Sequence, residues 1–344
     1  MTDLGQEALQ LVSLHGSIAA AARAAGISRS SMRDRLSRTG WKLGKPTRQL
    51  AAPGISTGGI AEIHRIDREL SRPASHAGRT HLVIPDSHAH PDFPNDRFDW
   101  LGRFLLDLKP DVVVDIGDMA DIPSLSIYDG ARSVGGAGGK KSFEGRRYKL
   151  DVAAAIDARR RILLPFDTEN SRLIAAGEKP LILPELHSCE GNHEDRIRRV
   201  SSLIPELDGV ISIDDLEIEK LGWKFHEFRI PAIIDGIAYA HFLISGVMGK
   251  PVGGVNHARS LILKGLTSST VGHSHLRDFA ETVTADNRRL LGLIVGCFFD
   301  FHADFAGPAN SLYWRGLVVK RCVQAGNYDH QWISLDYLRA TYGH

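Results

Sequence analysis

Several apolar segments of this chain are each followed at once by side chains of the kind that bind metal ions. The first is Leu82–His90, LVIPDSHAH, an apolar run typical of a buried strand that ends on Asp86 and His88. Residues two apart in an extended segment point to the same side, so both side chains can reach one ion beyond the strand. An Asp-x-His pair alone usually marks a polar turn, so its meaning depends on the rest of the chain.

The same arrangement recurs four more times. Each later apolar segment predicts another buried strand, and residues with oxygen or nitrogen donors follow it. In chain order these are Asp111–Ile116 followed by Gly117-Asp118 and Asp121, Leu181–Leu186 followed by Gly191-Asn192-His193-Glu194, Ile237–His241 ending on His241, and Thr267–Val271 followed by Gly272-His273-Ser274-His275. Five strand ends of this kind indicate one shared metal site.

The order D-x-H, G-D-x-x-D, G-N-H-E, a lone His and G-H-x-H resembles that of the calcineurin-like metallophosphoesterase superfamily. The resemblance covers about Leu82–His275. It implies an α/β fold, a four-layer α/β/β/α sandwich, and a phosphoester hydrolase that uses metal-activated water as its nucleophile. Catalysis of this kind needs two divalent ions about 3.5–4 Å apart.

The resemblance also assigns the ligands of the two ions. Asp118 is the expected bridge, since a shared carboxylate can hold both ions. The remaining ligands are Asp86, His88 and His275 for one ion, and Asn192, His241 and His273 for the other. A shell rich in histidine suits Mn, Fe or Zn better than the all-oxygen shell of Mg or Ca. Mn is the first expectation, with Fe, Zn, Ni and Mg as alternatives.

In the same superfamily the residue corresponding to His193 points toward the leaving group. A histidine protonated near neutral pH can donate a proton to the departing oxygen, and a neighbouring carboxylate would raise its pKa. Asp121 is the first expectation for that carboxylate and Glu194 the second, although Asp121 can equally cap the turn after its strand. Weaker candidates for further site residues are His90, His257 and His302.

Departures from the family pattern favour one branch. Protein Ser/Thr phosphatases of the superfamily follow G-D-x-x-D with Arg-Gly, whereas this chain has Ile122 and Pro123, and Ala89 stands where their first motif has glycine. The G-N-H-E ending is shared with them. Together with the N-terminal helices described next, the pattern is more similar to the exonucleases of DNA double-strand-break repair.

The N-terminal string AAAARAAGISRSSMRDRL resembles the helix-turn-helix of bacterial DNA-binding domains. Apolar spacing predicts helices over Leu4–Gly16, Ile18–Ala25 and Ser30–Thr39, the second capped by Ser17 and the third by Ser28, with Met32 and Leu36 pointing inward. The segment from residue 23 to residue 48 contains eight basic side chains and only one acidic side chain, Asp34. This excess of positive charge suits binding to a phosphate backbone. The expected DNA contacts are Arg29, Arg33, Arg35 and Arg38. The alternative is a basic helical hairpin used for packing or self-association.

The expected domains are therefore a helix-turn-helix at 1–43, a linker at 44–79 and a catalytic domain at 80–344. Within the linker, apolar spacing indicates a short helix at Ile60–Leu70. In the catalytic domain we expect helices at Asp96–Leu108, about Leu150–Ala176 and Ala258–Leu266. We expect closing strands of a second sheet at Leu290–Phe299, Leu317–Val323 and Gln331–Leu335. A glycine-rich basic stretch, Arg132–Lys149, suits either a polyanionic substrate or a solvated loop.

Length and composition indicate the domain organisation of the protein and its expected cellular compartment. The 344 residues suffice for one large domain with a small appendage, and the formal net charge of +1 indicates no partner by itself. No segment approaches the roughly 20 apolar residues of a membrane span, and no signal segment opens the chain, so we expect a cytoplasmic protein without a membrane partner. Three cysteines without C-x-x-C spacing predict neither a disulfide framework nor a zinc knuckle. The oligomeric state is left open.

The leading hypothesis is a metal-dependent phosphodiesterase or nuclease acting on DNA, which the N-terminal domain tethers. The alternative is a phosphomonoesterase for proteins or small molecules, in which the N-terminal helices bind a partner. A third class is a DNA-binding regulator whose phosphoesterase fold has lost activity. The complete ligand series argues against the third.

Overall fold

The computed structural model describes residues 4–15, 18–37, 78–126 and 145–344. Contacts divide the chain into two units, Met1–Arg72 and Pro73–His344. The expected helix at Ile60–Leu70, most of the expected linker and most of the basic stretch Arg132–Lys149 lie outside the described residues, as do Ser17 and Arg38. No helix within the described residues combines the length and the apolar character needed to cross a bilayer.

Within the part of the first unit that the structure describes, residues 4–15 and 18–37, there are three short helices, α1 (Leu4–His15), α2 (Ile18–Ala24) and α3 (Arg29–Ser37). Their small core is formed by Ala8, Ala21, Ala22, Met32 and Leu36. As predicted, the hydroxyl of Ser28 accepts a hydrogen bond from the backbone N–H of Ser31, which caps α3. Arg35 is partly buried, and the side chains of Arg29 and Arg33 are not among those described.

The second unit is a mixed α/β structure. Its strands are β1 (Arg79–Ile84), β2 (Val112–Asp115), β3 (Glu185–Cys189), β4 (Lys224–His226), β5 (Ala232–Ile234), β6 (Ile237–Ala240), β7 (Ile244–Ser245), β8 (Lys250–Pro251), β9 (Ser268–Val271), β10 (Arg277–Val283), β11 (Arg289–Val295), β12 (Gly316–Gln324) and β13 (Asn327–Ser334). Its α-helices are α4 (Asp96–Leu108), α5 (Tyr148–Ala175), α6 (Asp195–Leu203), α7 (His257–Gly265) and α8 (Leu335–Tyr342).

The strands form two larger sheets and one small hairpin. The first sheet has the order β13-β12-β1-β2-β3-β4, the second has the order β10-β11-β9-β6-β5, and β7 pairs with β8. Strands β1 to β4 run parallel, as do β6, β9 and β11. The expectation that Leu317–Val323 and Gln331–Leu335 close a second sheet is wrong. These segments belong to β12 and β13, and β12 pairs antiparallel with β1.

Alternate residues of the central strands enter two different cores. Leu82, Ile84 and Val113 pack with the helices that cover one face of the first sheet. Val83 and Val114 point the other way and pack between the two sheets. Both faces of β1 and β2 are therefore buried, which explains why these strands are continuously apolar in sequence. Removal of each such side chain from water contributes roughly 1.5–3 kcal/mol.

The second sheet is covered on its outer face by α7. Ala258 and Leu261 of this helix pack against Val271 and Ile294. Gly292 makes the close approach possible, because a Cβ there would lie 2.2 Å from the carbonyl oxygen of Ala258.

The third strand begins later than the sequence predicts. Leu181–Leu186 was the expected strand, but the strand formed is Glu185–Cys189. Pro180 and Pro184 have no N–H group to donate to a neighbouring strand, and the Asn170 side chain accepts the N–H of Leu181 instead. The shift brings the strand end closer to the G-N-H-E motif. Because β1, β2 and β3 are parallel, the loops after them meet at one edge of the sheet.

Candidate metal centre

Asp86, His88 and His275 form the first cluster of ligand-type side chains at this edge. Nε2 of His275 lies 3.1 Å from Oδ2 of Asp86 and 3.2 Å from Nε2 of His88. All three side chains are buried. One donor atom from each lies within 4.8 Å of the others, which is close enough to share one ion.

His241 is at the centre of the second cluster. Its Nε2 lies 3.2 Å from Oδ2 of Asp118, 2.9 Å from Oδ1 of Asn192 and 3.1 Å from Nδ1 of His273. The two clusters adjoin, since Nδ1 of His241 lies 4.0 Å from a carboxylate oxygen of Asp86. All seven side chains expected as ligands thus converge at the sheet edge.

The chemistry of this donor set fits divalent cations. Ring nitrogens of different histidines face each other at 3.1 and 3.2 Å, an arrangement in which their lone pairs can converge on a common centre. Among the described residues, the ion pairs of Asp86 and Asp118 involve only histidines. Two buried carboxylates that have no lysine or arginine partner are unfavourable unless another positive charge compensates them.

The pKa values of these groups reflect the concentration of negative charge around His241. Burial would raise the pKa of Asp118, but the charges of His241 and His193 outweigh it and hold that pKa well below its usual value. Burial and the charge of His241 lower the pKa of His273 to about 4, so its ring is neutral. Burial opposes protonation of His241, yet Asp118 and Asp86 raise its pKa to about 9. The negative potential at this point is therefore strong.

Two motif glycines are required by the space around the carboxylates. A Cβ on Gly191 would lie 2.1 Å from Oδ1 of Asp118, and a Cβ on Gly272 would lie 2.1 Å from Oδ1 of Asp86. No side chain can occupy either position without displacing an acidic group. The glycine of G-N-H-E and that of G-H-x-H thus let the backbone pass directly over the site.

Four of the candidate ligands have left-handed backbone conformations. The φ angles are 45° at His88, 55° at Asp118, 67° at His273 and 58° at His275. Such conformations are uncommon outside glycine, and surrounding contacts must stabilise them. The carbonyl of Asp118 does so for the first motif by accepting the N–H groups of Ser87 and His88.

His193 shares a third group of closely spaced donor atoms with His88 and Asp118, and its ring also bonds to Asp121. Its Nδ1 is 2.7 Å from Oδ1 of Asp121, the carboxylate that the sequence analysis favoured. The same oxygen lies 3.0 Å from Nδ1 of His88. Burial and the charge of Arg196 lower the pKa of His193, whereas the carboxylates of Asp118 and Asp121 raise it, and the net effect is a raised pKa.

Arg196 is a site residue whose role the sequence did not indicate. Its Nη2 lies 2.9 Å from Nε2 of His193, and its Nη1 donates to the carbonyl oxygen of Asp121. A guanidinium group only donates hydrogen bonds, so this contact uses the lone pair on Nε2. The arrangement is that of a neutral ring with its proton on Nδ1. Proton uptake at Nε2 requires Arg196 to move away from this atom.

Glu194 supports the backbone of the motifs. It accepts the N–H groups of Asp118, Ala120 and Gly191, which ties the second motif to the third. Burial and the neighbouring charge of Asp118 raise the pKa of Glu194 to about 7. The sequence offered Glu194 as the second expected partner of His193, whereas in the structure its carboxylate accepts these backbone N–H groups.

Arg97 stabilises the backbone of the first motif through hydrogen bonds to carbonyl oxygens. It is buried in α4 and donates to the carbonyl oxygens of Ser87, Pro94 and Phe298. Burial lowers the pKa of Arg97 to about 10. In the sequence it stands beside Phe98 in an amphipathic helix, and nothing there distinguishes it from a solvated arginine.

The three weaker candidates, His90, His257 and His302, belong to none of the groups of closely spaced metal-ligand donors found among the described residues. Nε2 of His90 is 3.7 Å from Oδ2 of Asp121, so this ring borders the site. His257 begins α7, and His302 lies 3.4 Å from Nδ2 of Asn310.

Comparisons with known proteins add one distant likeness. Neither a family model nor a curated protein matches this chain. Among solved structures the chain is similar to a novel archaeal phosphodiesterase, with 11% sequence identity, a TM-score of 0.33, and coverage of 74% of this chain and 99% of that chain. The functional assignment therefore depends on the geometry of the site.

Proposed function

We propose that this protein is a dinuclear-metal-dependent phosphodiesterase acting on DNA, and that its second unit is a four-layer metallophosphoesterase sandwich. The proposal rests on one observation, the convergence of two adjoining donor clusters, one of Asp86, His88 and His275 and one of Asp118, His241 and His273, at the carboxyl edge of parallel strands. Asp86, His88 and His275 would hold one ion, Asn192, His241 and His273 the other, and Asp118 both. When bound, two such ions supply charge neutralisation of the phosphoryl oxygens and an acidified water.

In this proposal the protein supplies the proton for the leaving group. Asp121 fixes the ring of His193 through Nδ1 and favours its protonated form. The P–O bond to the leaving group breaks as Nε2 gives its proton to the departing oxygen, which prevents an alkoxide from accumulating. Arg196 must release Nε2 beforehand, and the negatively charged substrate offers its guanidinium group a new partner.

DNA is the proposed substrate because of the basic first unit. The excess of positive charge between residues 23 and 48 suits a polyanion, and we propose that α2 and α3 act as a helix-turn-helix tether. The three cysteines are free, which agrees with a reducing compartment such as the cytoplasm.

The proposal is tested by incubating the protein with Mn²⁺ and labelled single-stranded and double-stranded DNA. We expect strand cleavage that EDTA abolishes and that the Asp118→Ala variant lacks. Rapid hydrolysis of a phosphomonoester without any cleavage of DNA would refute the nuclease assignment and support the phosphomonoesterase alternative. Cleavage that persists in EDTA would refute the metal-dependent mechanism.

A further inference from the structure

Aromatic rings lead from the candidate metal centre to the protein surface. The buried ring of Phe299 contacts the rings of His88 and His275 edge-on, with centroids 5.2 and 5.3 Å apart. Phe301 stacks on Phe299 at 4.9 Å, and Phe93 stacks on Phe301 at 4.0 Å with only 2° between the planes. The series of rings thus starts at two candidate ligands and ends in solvent.

Phe93 is more exposed to solvent than a residue of the apolar core would be. It belongs to none of the apolar cores of the described residues, and 37% of its surface is exposed. Its exposed neighbours Asp92 and Pro94 leave the ring in contact with solvent, although His90 and Phe301 hold its position. One face of the Phe93 ring packs on Phe301, so a further flat ring can stack only on its outer side.

A positively charged side chain, that of Arg315, lies in the same region. Arg315 and Phe301 line one surface cleft. The half-buried guanidinium group of Arg315 donates to the carbonyl oxygens of Phe299 and Asn310, and no ion pair with a carboxylate is found for it among the described side chains. A guanidinium group has five donors, so further donors remain for a phosphate.

We propose that Phe93 and Phe301 form a stacking site for an unpaired nucleobase next to the scissile phosphate. This inference rests on the proposed phosphodiesterase function and deepens it, because it specifies single-stranded DNA or an unpaired DNA end as the substrate. In the interior of a duplex both faces of every base are already stacked, whereas an unpaired base has a free face that can stack on Phe93. Stacking on an aromatic side chain tolerates any base, and Arg315 is placed to contact the adjoining backbone phosphate.

The test compares a fluorescein-labelled single-stranded oligonucleotide with the same strand carrying abasic residues. Binding to the full chain is measured by fluorescence anisotropy in EDTA, where no hydrolysis occurs, and KM and kcat are measured with Mn²⁺. We expect the wild-type protein to bind the base-containing strand about tenfold more tightly than the abasic strand. Phe93→Ala should remove this preference and raise KM about tenfold at nearly constant kcat, whereas Phe93→Trp should keep it.

Phe279 provides the matched control, since its ring on β10 is 36% exposed and packs against His330 away from the site. Phe279→Ala should bind both strands as the wild type does. An unchanged preference for bases in Phe93→Ala would overturn the stacking site. If base-dependent binding needs Phe93 but no diester is cleaved, the stacking site stands and the proposed function fails, so the two failures are distinguishable.

Discussion

Nδ1 of His193 lies 2.7 Å from the carboxylate of Asp121, which itself comes from the loop after a different strand. The same carboxylate oxygen contacts Nδ1 of His88, a candidate metal ligand, at 3.0 Å. Asp121 therefore orients the proposed acid and a proposed ligand together. Because both rings contact one carboxylate, we expect the proposed proton donation and the proposed metal binding to be coupled through Asp121.

Replacement of His193 by alanine should separate these two functions. We expect His193→Ala to retain its metal but to lower turnover by roughly 10²–10⁴-fold, since general acid catalysis contributes about that much. Metal content by mass spectrometry and kcat on a chromogenic diester are the measurements. Substantial metal loss in this variant would show that His193 is a ligand instead of the acid.

Asp118→Ala should remove both ions. Its two carboxylate oxygens contact His241 and the N–H group of His193, and both donor clusters include histidines near it. We expect the metal content to fall from about two equivalents to nearly none. The exposed Asp167 on α5 is a suitable control, and Asp167→Ala should bind metal as the wild type does. Retention of one tightly bound ion by Asp118→Ala would contradict its bridging role.

Gly191→Ala should damage the site without altering any donor atom. The added methyl group would lie 2.1 Å from Oδ1 and 2.2 Å from the backbone nitrogen of Asp118, so the backbone must shift. Overpacking of this kind costs roughly 1–3 kcal/mol of unfolding free energy. We expect a lower Tm and weaker metal binding. Gly253→Ala has open space around it and should change neither quantity, and an equal effect of both substitutions would exclude the steric explanation.

The sequence predicted where the site lies but not how it is held together. Strand periodicity places Asp86 and Asp118 after neighbouring strands, and parallel pairing brings such residues to one edge. Arg97 and Arg196 escaped notice because each bonds to a backbone carbonyl oxygen far away in the chain, that of Phe298 for Arg97 and that of Asp121 for Arg196. A solvated arginine on an amphipathic helix has the same sequence signal.

The sheet assignment of the last strands failed for a related reason. Val318 and Val319 are both fully buried, one between the sheets and one beneath the helices. A central strand of either sheet would show the same continuous apolar pattern. Only the antiparallel pairing of β12 with β1 distinguishes the two possibilities, and this pairing joins segments more than two hundred residues apart.

Neutralisation of the four arginines proposed as DNA contacts should affect binding and not chemistry. A variant with Arg29, Arg33, Arg35 and Arg38 changed to Gln should bind DNA more weakly, and the slope of log affinity against log salt should fall by about one per lost phosphate contact. Hydrolysis of a small chromogenic diester should be unchanged. The control with matched charge changes the exposed residues Arg160, Arg172, Lys220 and Arg288 to Gln. Equal loss of DNA binding in both variants would refute a specific role for the first unit.

His187 should make the fold less stable in acid. Its ring on β3 stacks on that of His226, with Nδ1 and Nε2 3.0 Å apart, and burial together with the charge of His226 lowers its pKa to about 4. In the unfolded chain His187 takes up its proton near pH 6.5. The unfolded state therefore binds more protons between about pH 6.5 and 4, so the stability contributed by the neutral ring is complete above pH 6.5 and is lost as the pH falls toward 4.

His187→Gln should consequently lose less stability than the wild type over this interval. We expect the fall in Tm between pH 7 and pH 4.5 to be smaller by a few degrees in the variant, measured in EDTA so that metal release does not contribute. His344→Gln, at the exposed end of the chain, should follow the wild-type curve. Because the neutral pair shares one hydrogen bond between its rings, protonation of both rings places two positive charges in contact, and His226→Gln should relieve the same repulsion. Parallel curves for the wild type and both variants would show that this pair does not govern the acid sensitivity of the fold.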